Sequence, residues 1–373
     1  MKTIKIASVL FIGALTAFIN CCSAQKPTKV PMSSSHWTVN SEDFKFEEYL
    51  GVESIYLPSG FATLNDVEFH NGIIEFDIAF PQGRGFPGVT FRKQDNQNYE
   101  EFYIRPHQSG NPDANQYTPV FNGLAGWQLY YGEGHAAPIK YNYNAWNHVK
   151  LVISGTAGEV YINDMAKPLF QIYELKHGDV KGPISLKGNA KSHFANFSYT
   201  LNENPPLQLP VKEMPKLEDN VISHYKVSSA IEANEIISKP SINVDDIPEL
   251  KWISLDCEYT GTINIARVTK KTNKQNVALA KIVISSEKDQ SKLLEFGYSD
   301  IAQVFVNGKA VYLGNNTFRT RDYRYLGTIG YFDATFLDLK KGENEIIIAL
   351  MEAFGGWGMK ARLSDLKGIT MTY

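Results

Sequence analysis

A segment of alternating side chains follows the turn-forming residues 95–98. One face of it carries Tyr99, Glu101, Tyr103 and Arg105, and the other carries Glu100, Phe102 and Ile104. Successive side chains of a β-strand point to opposite faces, so Phe102 and Ile104 are expected in a core. Glu101, Tyr103 and Arg105 are then expected on a polar, solvent-facing side of the sheet.

Further polar and aromatic residues flank this strand. Arg92 is expected on the same face from the preceding strand, and His107 lies just beyond the strand end. The residues that follow complete the set with Gln116, Tyr117, Asn122, Gln128 and Tyr130. Amides, carboxylates and guanidinium groups pair with vicinal sugar hydroxyls, and aromatic rings stack on the C–H face of a pyranose. The pattern predicts a carbohydrate-binding face; the alternative is a solvated sheet held by cross-strand ion pairs.

The same cluster holds the candidates for catalysis. Hydrolysis or elimination needs a carboxylate or histidine with a tuned pKa, and Glu101, His107 and Asp113 are the clustered candidates. Trp357, between glycines in the segment 354–358, is either a stacking platform for a ligand or a plug at the end of the fold.

Metal and cofactor chemistry leaves little trace in the sequence. No histidine pair or Cys–His set has zinc spacing, so no transition-metal site and no organic cofactor are expected. Calcium stays open, because loop oxygens such as those of Asp113 and Asn115 carry no fixed spacing.

Composition narrows the class of protein. The chain has 373 residues, a net charge of -3 and 12% aromatic residues. Length predicts about two domains, and the charge gives no positive field for nucleic acid. Aromatic content with 28 Gly and 17 Pro favours an all-β fold with many turns.

The first 24 residues predict a signal peptide. Lys2 and Lys5 precede an apolar run over 6–19, and small residues end at Ala24. Cleavage near Ala24 predicts a secreted or periplasmic protein without a membrane span, because the run is too short to cross a bilayer. The alternative is a lipoprotein acylated on Cys21 or Cys22.

The remainder divides into three parts. Alternating strands over 36–200 predict a first sandwich, with strands that include 88–92, 99–105 and 127–131. Prolines over 201–220 and mixed signals to residue 250 predict a linker and strap over 201–250. Strand patterns over 251–373 predict a second sandwich.

Both sandwiches resemble known families. The segments 72–78, 146–153 and 159–164 resemble concanavalin A-like lectin/glucanase sandwiches, which include laminin-G-like modules and 3-keto-disaccharide hydrolases. The segments 302–309 and 339–346 resemble galactose-binding-like jelly rolls. The resemblance implies an all-β fold of two β-sandwich domains, concanavalin A-like and then galactose-binding-like.

The sequence can be compared directly with one group of the concanavalin A-like family, the laminarinase-type enzymes. Laminarinase-type enzymes carry Glu, Asp and a second Glu on one strand face. Here Glu75 and Asp77 share a face but Ala79 and Phe80 follow, so the second Glu is missing. Glu75 and Asp77 are therefore interpreted as strand-surface residues.

The leading prediction is an exported carbohydrate-binding protein from a polysaccharide-handling bacterium, with an oligo- or polysaccharide as partner. One alternative is a glycoside hydrolase of the keto-disaccharide type with Glu101 or Asp113 as acid or base. The other is a structural or adhesion module.

Overall fold

The computed structural model describes residues 26–320 and 327–372, and its strands form four antiparallel sheets. The predicted signal peptide, 1–24, lies outside the described residues. The predicted all-β class is confirmed, since helical segments within 26–320 and 327–372 are limited to four short 3-10 turns at Pro106–Gln108, Ala233–Glu235, Val244–Asp246 and Ile265–Arg267. In the described part of the chain, no helix has the length and apolar character that crossing a membrane requires.

Fifteen strands form the first sandwich. They are β1 (Thr28–Lys29), β2 (Trp37–Asn40), β3 (Lys45–Tyr49), β4 (Val52–Leu57), β5 (Phe61–Leu64), β6 (Gly72–Ala79), β7 (Gly88–Asp95), β8 (Asn98–Ile104), β9 (Asn115–Phe121), β10 (Leu124–Ala125), β11 (Trp146–Ser154), β12 (Ala157–Ile162), β13 (Phe170–Ile172), β14 (Ser185–Lys187) and β15 (Ser192–Leu201). Sheet I has the order β13-β12-β11-β6-β15-β4-β3, with β1 paired to β15, and sheet II has the order β10-β9-β8-β7-β14-β5-β2.

The core of the first sandwich lies between these sheets. Sheet I contributes Ile55, Phe76 and Leu151, and sheet II contributes Phe91 and Phe102, all fully buried. Alternation explains the pattern, because each strand sends every second side chain inward. The opposite face of sheet II is then free to carry polar groups.

Twelve strands form the second sandwich. They are β16 (His224–Ser228), β17 (Ile231–Glu232), β18 (Trp252–Asp256), β19 (Thr262–Asn264), β20 (Gln275–Ser286), β21 (Gln290–Ser299), β22 (Ile301–Val306), β23 (Lys309–Asn315), β24 (Asp333–Leu339), β25 (Gly342–Met351), β26 (Gly358–Leu363) and β27 (Ile369–Thr372). Sheet III has the order β18-β16-β20-β25-β22-β23, with β17 and β27 paired to β20, and sheet IV has the order β19-β26-β21-β24.

The segment 231–250 covers the outer face of sheet III. Ile231 and Ile236 pack there against Leu279, Phe305 and Ile347 in a second apolar cluster. The main core of this sandwich lies on the other side of sheet III, against sheet IV. The strand β16 falls within the span 201–250, so part of that span is integral to sheet III.

The two sandwiches meet at a polar junction. The Lys176 ammonium lies 2.7 Å from Glu258 Oε2 and 2.6 Å from Glu174 Oε2, and the Lys176 and Glu258 side chains are only 3% and 4% exposed. Tyr130 Oη donates to Glu258 Oε1 at 2.6 Å. Burial lowers the pKa of Lys176, but Glu258 and Glu174 outweigh this and hold the pKa above its ordinary value.

We expect Lys176→Met to lower the free energy of unfolding by about 3 kcal/mol, because the buried Glu258 carboxylate loses its close cation and keeps only the longer contact, 3.8 Å, to the Arg267 guanidinium among the described residues. Urea unfolding followed by tryptophan fluorescence measures this change. The control is Lys212→Met, which removes a solvent-exposed ion pair with Glu133 and should lower the free energy of unfolding far less. Equal, small losses in both variants would contradict a structural role of the buried pair.

Candidate functional site

The outer face of sheet II positions the candidate site. Strand β8 lies between β7 and β9, with Glu101 opposite Thr90 and Thr118, and Tyr103 opposite Gly88 and Gln116. Phe102 and Ile104 are fully buried in the core of the first sandwich. Glu101 and Tyr103 consequently point away from that core, as the alternation of the sequence predicts.

A pocket of about 470 Å³ lies on this face. Five of the residues predicted from the sequence line it: Glu101, Tyr103, Arg105, His107 and Asp113. Sequence reasoning did not place six further lining residues in a site: Arg84, Phe86, Gln108, Ala125, Lys187 and Asn189. Gln108 lies in the 3-10 turn next to His107, and the other five come from loops and from β10 and β14, so the alternation along β8 does not mark them.

The second sandwich supplies the remaining wall. Phe318, Arg319 and Phe354 line the pocket, and the two phenylalanine rings lie beside Trp127. The ring centroid of Trp127 lies 6.0 Å from that of Phe318 and 5.8 Å from that of Phe354, with edge-on geometry. The pocket therefore belongs to both sandwiches, and the three rings form an aromatic wall.

The loop that carries Phe354 is held from both sides. Asp300 Oδ2 accepts hydrogen bonds from the backbone N–H groups of Ala353 and Phe354 at 2.6 and 2.7 Å. Gly355 has φ +109°, and a Cβ atom there would lie 2.1 Å from Gln128 Oε1. Only glycine fits this close approach without strain.

Arg105 organises the polar side of the pocket. Its guanidinium donates to Asp113 Oδ2 at 3.1 Å, to Tyr103 Oη at 2.8 Å and to Gln116 Oε1 at 2.5 Å. Tyr103 Oη donates in turn to Gln116 Oε1 at 2.7 Å. The network fixes the Arg105 and Tyr103 side chains, so the pocket has a preformed polar wall.

Glu101 forms the buried acceptor of the pocket. Its side chain is 1% exposed and is paired with the ammonium of Lys187. Its second oxygen, Oε2, is buried and has no hydrogen-bond partner among the described residues. Buried polar atoms are nearly always satisfied, so this oxygen is an unused hydrogen-bond acceptor of the pocket lining.

His107 lies beside Phe86, with ring centroids 5.3 Å apart. Burial first, and then the charges of Arg105 and Arg84, hold the pKa of His107 below its ordinary value. Its Nδ1 atom is buried and finds no partner in the described part of the chain. The ring is thus a neutral group with an unsatisfied nitrogen next to the pocket.

Arg92 does not join this face, which corrects the prediction. A break in strand register follows Phe91, and Arg92 takes a positive φ of 49°, so the alternation with Thr90 is lost. The fully buried guanidinium donates instead to His70 O, Gly178 O, Gly155 O and Asn71 Oδ1 at 2.7–2.9 Å. Arg92 is therefore a structural residue that ties loops together.

Two residues of β9 point in opposite directions. Tyr117 lies in the core of the first sandwich, where its Oη donates to Glu100 Oε2 at 2.7 Å. Gln116 lies behind the pocket, where its amide binds Tyr103 and Arg105, and it is 2% exposed. The predicted ligand contact of Tyr117 is not available, and Gln116 acts through the side chains that it positions.

The remaining predicted ligand contacts lie at the junction or in a core. Asn122 Nδ2 donates to Ala266 O at 2.8 Å, Gln128 Oε1 accepts from Ser299 Oγ at 2.8 Å, and Tyr130 binds Glu258. Trp357 is fully buried, and its Nε1 donates to Leu350 O at 2.9 Å. Trp357 is therefore a buried plug and not a stacking platform for a ligand.

The predicted strand over 127–131 is wrong. The backbone N–H groups of Leu129 and Tyr130 both donate to Gly126 O, at 2.9 and 3.1 Å, which makes a tight turn. This turn carries Trp127 toward the pocket and Tyr130 toward the junction. In a strand, side chains three positions apart point to opposite faces of one sheet, so Trp127 and Tyr130 would not have reached the pocket and the junction in this way.

Glu75 and Asp77 lie on the outer face of sheet I, opposite His148 and Lys150 of β11. His148 Nδ1 lies 2.6 Å from Asp77 Oδ1, and Nε2 lies 3.6 Å from Glu75 Oε2. Hydrogen bonds to these carboxylates raise the pKa of His148 to about 9. The three residues form a partly exposed ion-pair cluster on the other sheet of this sandwich.

Asp113 and Asn115, the residues named for calcium, have separate partners. Asp113 binds Arg105, whereas the amide of Asn115 bonds to the backbone of Ala137. In the residues that the structure describes, no group of three His, Cys, Asp or Glu side chains is arranged to hold a metal ion.

The chain is similar to several solved structures at low sequence identity. No family model matches the chain, and no curated protein matches it. Similar solved structures include the carbohydrate-binding module CBM66 from Bacillus subtilis, at 16% identity and a TM-score of 0.32, covering 43% of this chain and 91% of that one. They also include a Bacillus licheniformis β-glucanase (9% identity, TM-score 0.34, 48% and 99% covered) and the Caenorhabditis elegans galectin LEC-6 (9%, 0.27, 45% and 99%). At these values none of them bears on what this chain binds.

We expect Arg92→Met to lower the free energy of unfolding by about 3 kcal/mol, because three partly buried carbonyl oxygens and the buried Asn71 Oδ1 lose their donor. Urea denaturation measures the change, with Lys216→Met at a 92% exposed side chain as the matched loss of a surface cation. A stable Arg92→Met variant would mean that the guanidinium is not structural.

The His148 cluster predicts a pH-dependent part of the stability. A histidine with a raised folded pKa stabilises the fold fully below its unfolded pKa, near 6.5, and this contribution is lost as the pH rises through about 9. The wild type should therefore exceed His148→Asn in unfolding free energy at pH 6, by less than about 1 kcal/mol for such an exposed cluster. At pH 10 the two should converge. A gap independent of pH, or an equal effect of His36→Asn, would contradict this assignment.

Proposed function

We propose that this protein binds a carbohydrate in the pocket between its two sandwiches. The observation that carries the proposal is the aromatic wall of Trp127, Phe318 and Phe354 facing a preformed polar network around Arg105. Aromatic rings stack on the C–H faces of sugars, while guanidinium, carboxylate and amide groups bind their hydroxyls. A pocket with both features fits a sugar better than it fits a purely apolar ligand.

The aromatic wall supports stacking because part of it faces solvent. Phe354 is 51% exposed, and Trp127 and Phe318 are half-buried. Exposed apolar surface that is grouped beside polar residues is typical of a binding site. A bound sugar ring would cover these side chains and bury apolar area.

The buried carboxylate supports hydrogen bonding at the base of the pocket. Glu101 Oε2 has no partner in the described chain, although the side chain is 1% exposed. A sugar hydroxyl would satisfy this oxygen and recover the free energy lost by its desolvation.

Binding is favoured over glycoside hydrolysis. Hydrolysis requires two carboxyl groups on either side of the scissile bond, one of them a proton donor. In this pocket Glu101 is paired with Lys187 and Asp113 with Arg105, so each carboxylate already has a cationic partner. The arrangement suits recognition of hydroxyl groups.

The proposal also includes export and family. Extracellular polysaccharides are reached by a secreted or periplasmic protein, which agrees with a signal peptide over 1–24. The concanavalin A-like and galactose-binding-like resemblances, over 36–200 and 251–373, agree with a composite sugar site, and 201–250 would join the two domains.

We expect Trp127→Ala to lower the affinity for a bound glycan at least tenfold, about 1.4 kcal/mol, because the stacking ring is lost. A glycan array with the mature protein, 25–373, identifies the ligand, and calorimetric titration gives both affinities. The control is Phe336→Ala, which removes a 64% exposed ring outside the pocket, and thermal unfolding confirms that both variants fold.

Two outcomes would overturn the proposal. The first is that the wild type binds no glycan on the array, and the second is that Trp127→Ala binds as tightly as the wild type. Release of reducing ends from the bound glycan, abolished in Glu101→Gln, would instead establish the hydrolase alternative.

A further inference from the structure

The charges of the pocket do not balance. Among the residues that the structure describes, its lining contains the cations Arg84, Arg105, Lys187 and Arg319 and the two carboxylates Glu101 and Asp113. Lys187 is paired with Glu101, and Arg105 with Asp113. Within 26–320 and 327–372, no carboxylate is paired with Arg84 or Arg319. This local excess of positive charge contrasts with the net charge of -3 of the whole chain.

The guanidinium groups of Arg84 and Arg319 each lie against an aromatic ring at the pocket rim. Arg84 lies over Phe86 at 5.8 Å, and Arg319 lies over Phe318 at 5.0 Å. One arginine comes from the first sandwich and the other from the second. Stacking on a ring orients a guanidinium while leaving its N–H groups free for a ligand.

From this imbalance we infer that the glycan bound here is acidic, carrying carboxylate or sulfate groups that pair with Arg84 and Arg319. The inference rests on the proposed carbohydrate binding and adds the chemical class of the ligand. Arginine binds carboxylate and sulfate oxygens through two parallel N–H groups, which gives affinity and orientation together. A neutral sugar would leave both guanidinium groups without a carboxylate partner among the described residues.

The surroundings of His107 are also positively charged. Burial and the charges of Arg105 and Arg84 lower its pKa, so the group facing these arginines is a neutral imidazole. The charged groups around it are Arg105, Arg84 and Asp113. The neutral ring adds no positive charge, and its unsatisfied Nδ1 is available for a hydroxyl group.

The test compares matched acidic and neutral glycans. The array carries polyuronates, sulfated galactans and neutral glucans and galactans, and each bound polysaccharide is retested after carboxyl reduction or desulfation. We expect the wild type to bind acidic members, to lose at least tenfold in affinity after removal of the acidic group, and to bind more weakly as NaCl rises from 50 to 500 mM. Carboxyl reduction and desulfation separate the two anions.

The double variant Arg84→Gln/Arg319→Gln should lose at least tenfold in affinity for the acidic glycan. Its control, Lys181→Gln/Lys340→Gln, removes the same charge at side chains that are 70% and 72% exposed, and should bind like the wild type. Binding of neutral glycans that is weakened by Trp127→Ala but not by the arginine variant would overturn the inference and leave carbohydrate binding standing. Absence of any glycan binding would overturn both.

Discussion

The buried ion pair between Lys176 and Glu258 is the contact on which the proposed site depends. It lies where the two sandwiches meet, and the Tyr130 hydroxyl completes its hydrogen bonding. Charges that are removed from water are stable only when they are fully paired, so this contact tolerates little change in geometry. The junction thereby sets the distance between Trp127 of the first sandwich and the ring of Phe354 in the second.

The face of sheet II illustrates how a wet sheet surface becomes a pocket. Its polar side chains are those expected of an exposed face, yet Glu101 and Arg105 are 1% and 7% exposed. Loops of the first sandwich and the segments with Phe318 and Phe354 cover them. Burial strengthens each hydrogen bond in the Arg105 network, because competing water is excluded. It also makes an unpartnered atom such as Glu101 Oε2 costly, which favours a ligand there.

Local alternation predicted β7 and β8, and with them about a third of the residues that line the pocket. Glu101 and Tyr103 follow from the period of two in β8, and the core positions of Phe102 and Ile104 follow from the same period. Arg92 departs from this rule because a break in strand register and a positive φ turn its side chain away. Tyr117 departs because residues 115–121, for which no strand was predicted, form β9, where Gln116 lies opposite Tyr103 and Tyr117 lies opposite the core residue Phe102. Both errors concern the side of a sheet that a side chain faces. A shift of one residue in a strand moves the following side chains to the other side.

The sequence by itself determined the all-β class, the paired sandwiches and the polar strand around Glu101, because hydrophobic periodicity and turn residues act over a few positions. It did not determine which distant segments meet on that strand. Phe318, Arg319 and Phe354 lie more than 200 residues from Glu101 in the chain, and Lys187 lies on another strand. Their meeting depends on packing between two sandwiches, whose contacts are spread over many nonlocal pairs. Tertiary structure alone therefore decided the aromatic wall and the unbalanced charge of the pocket.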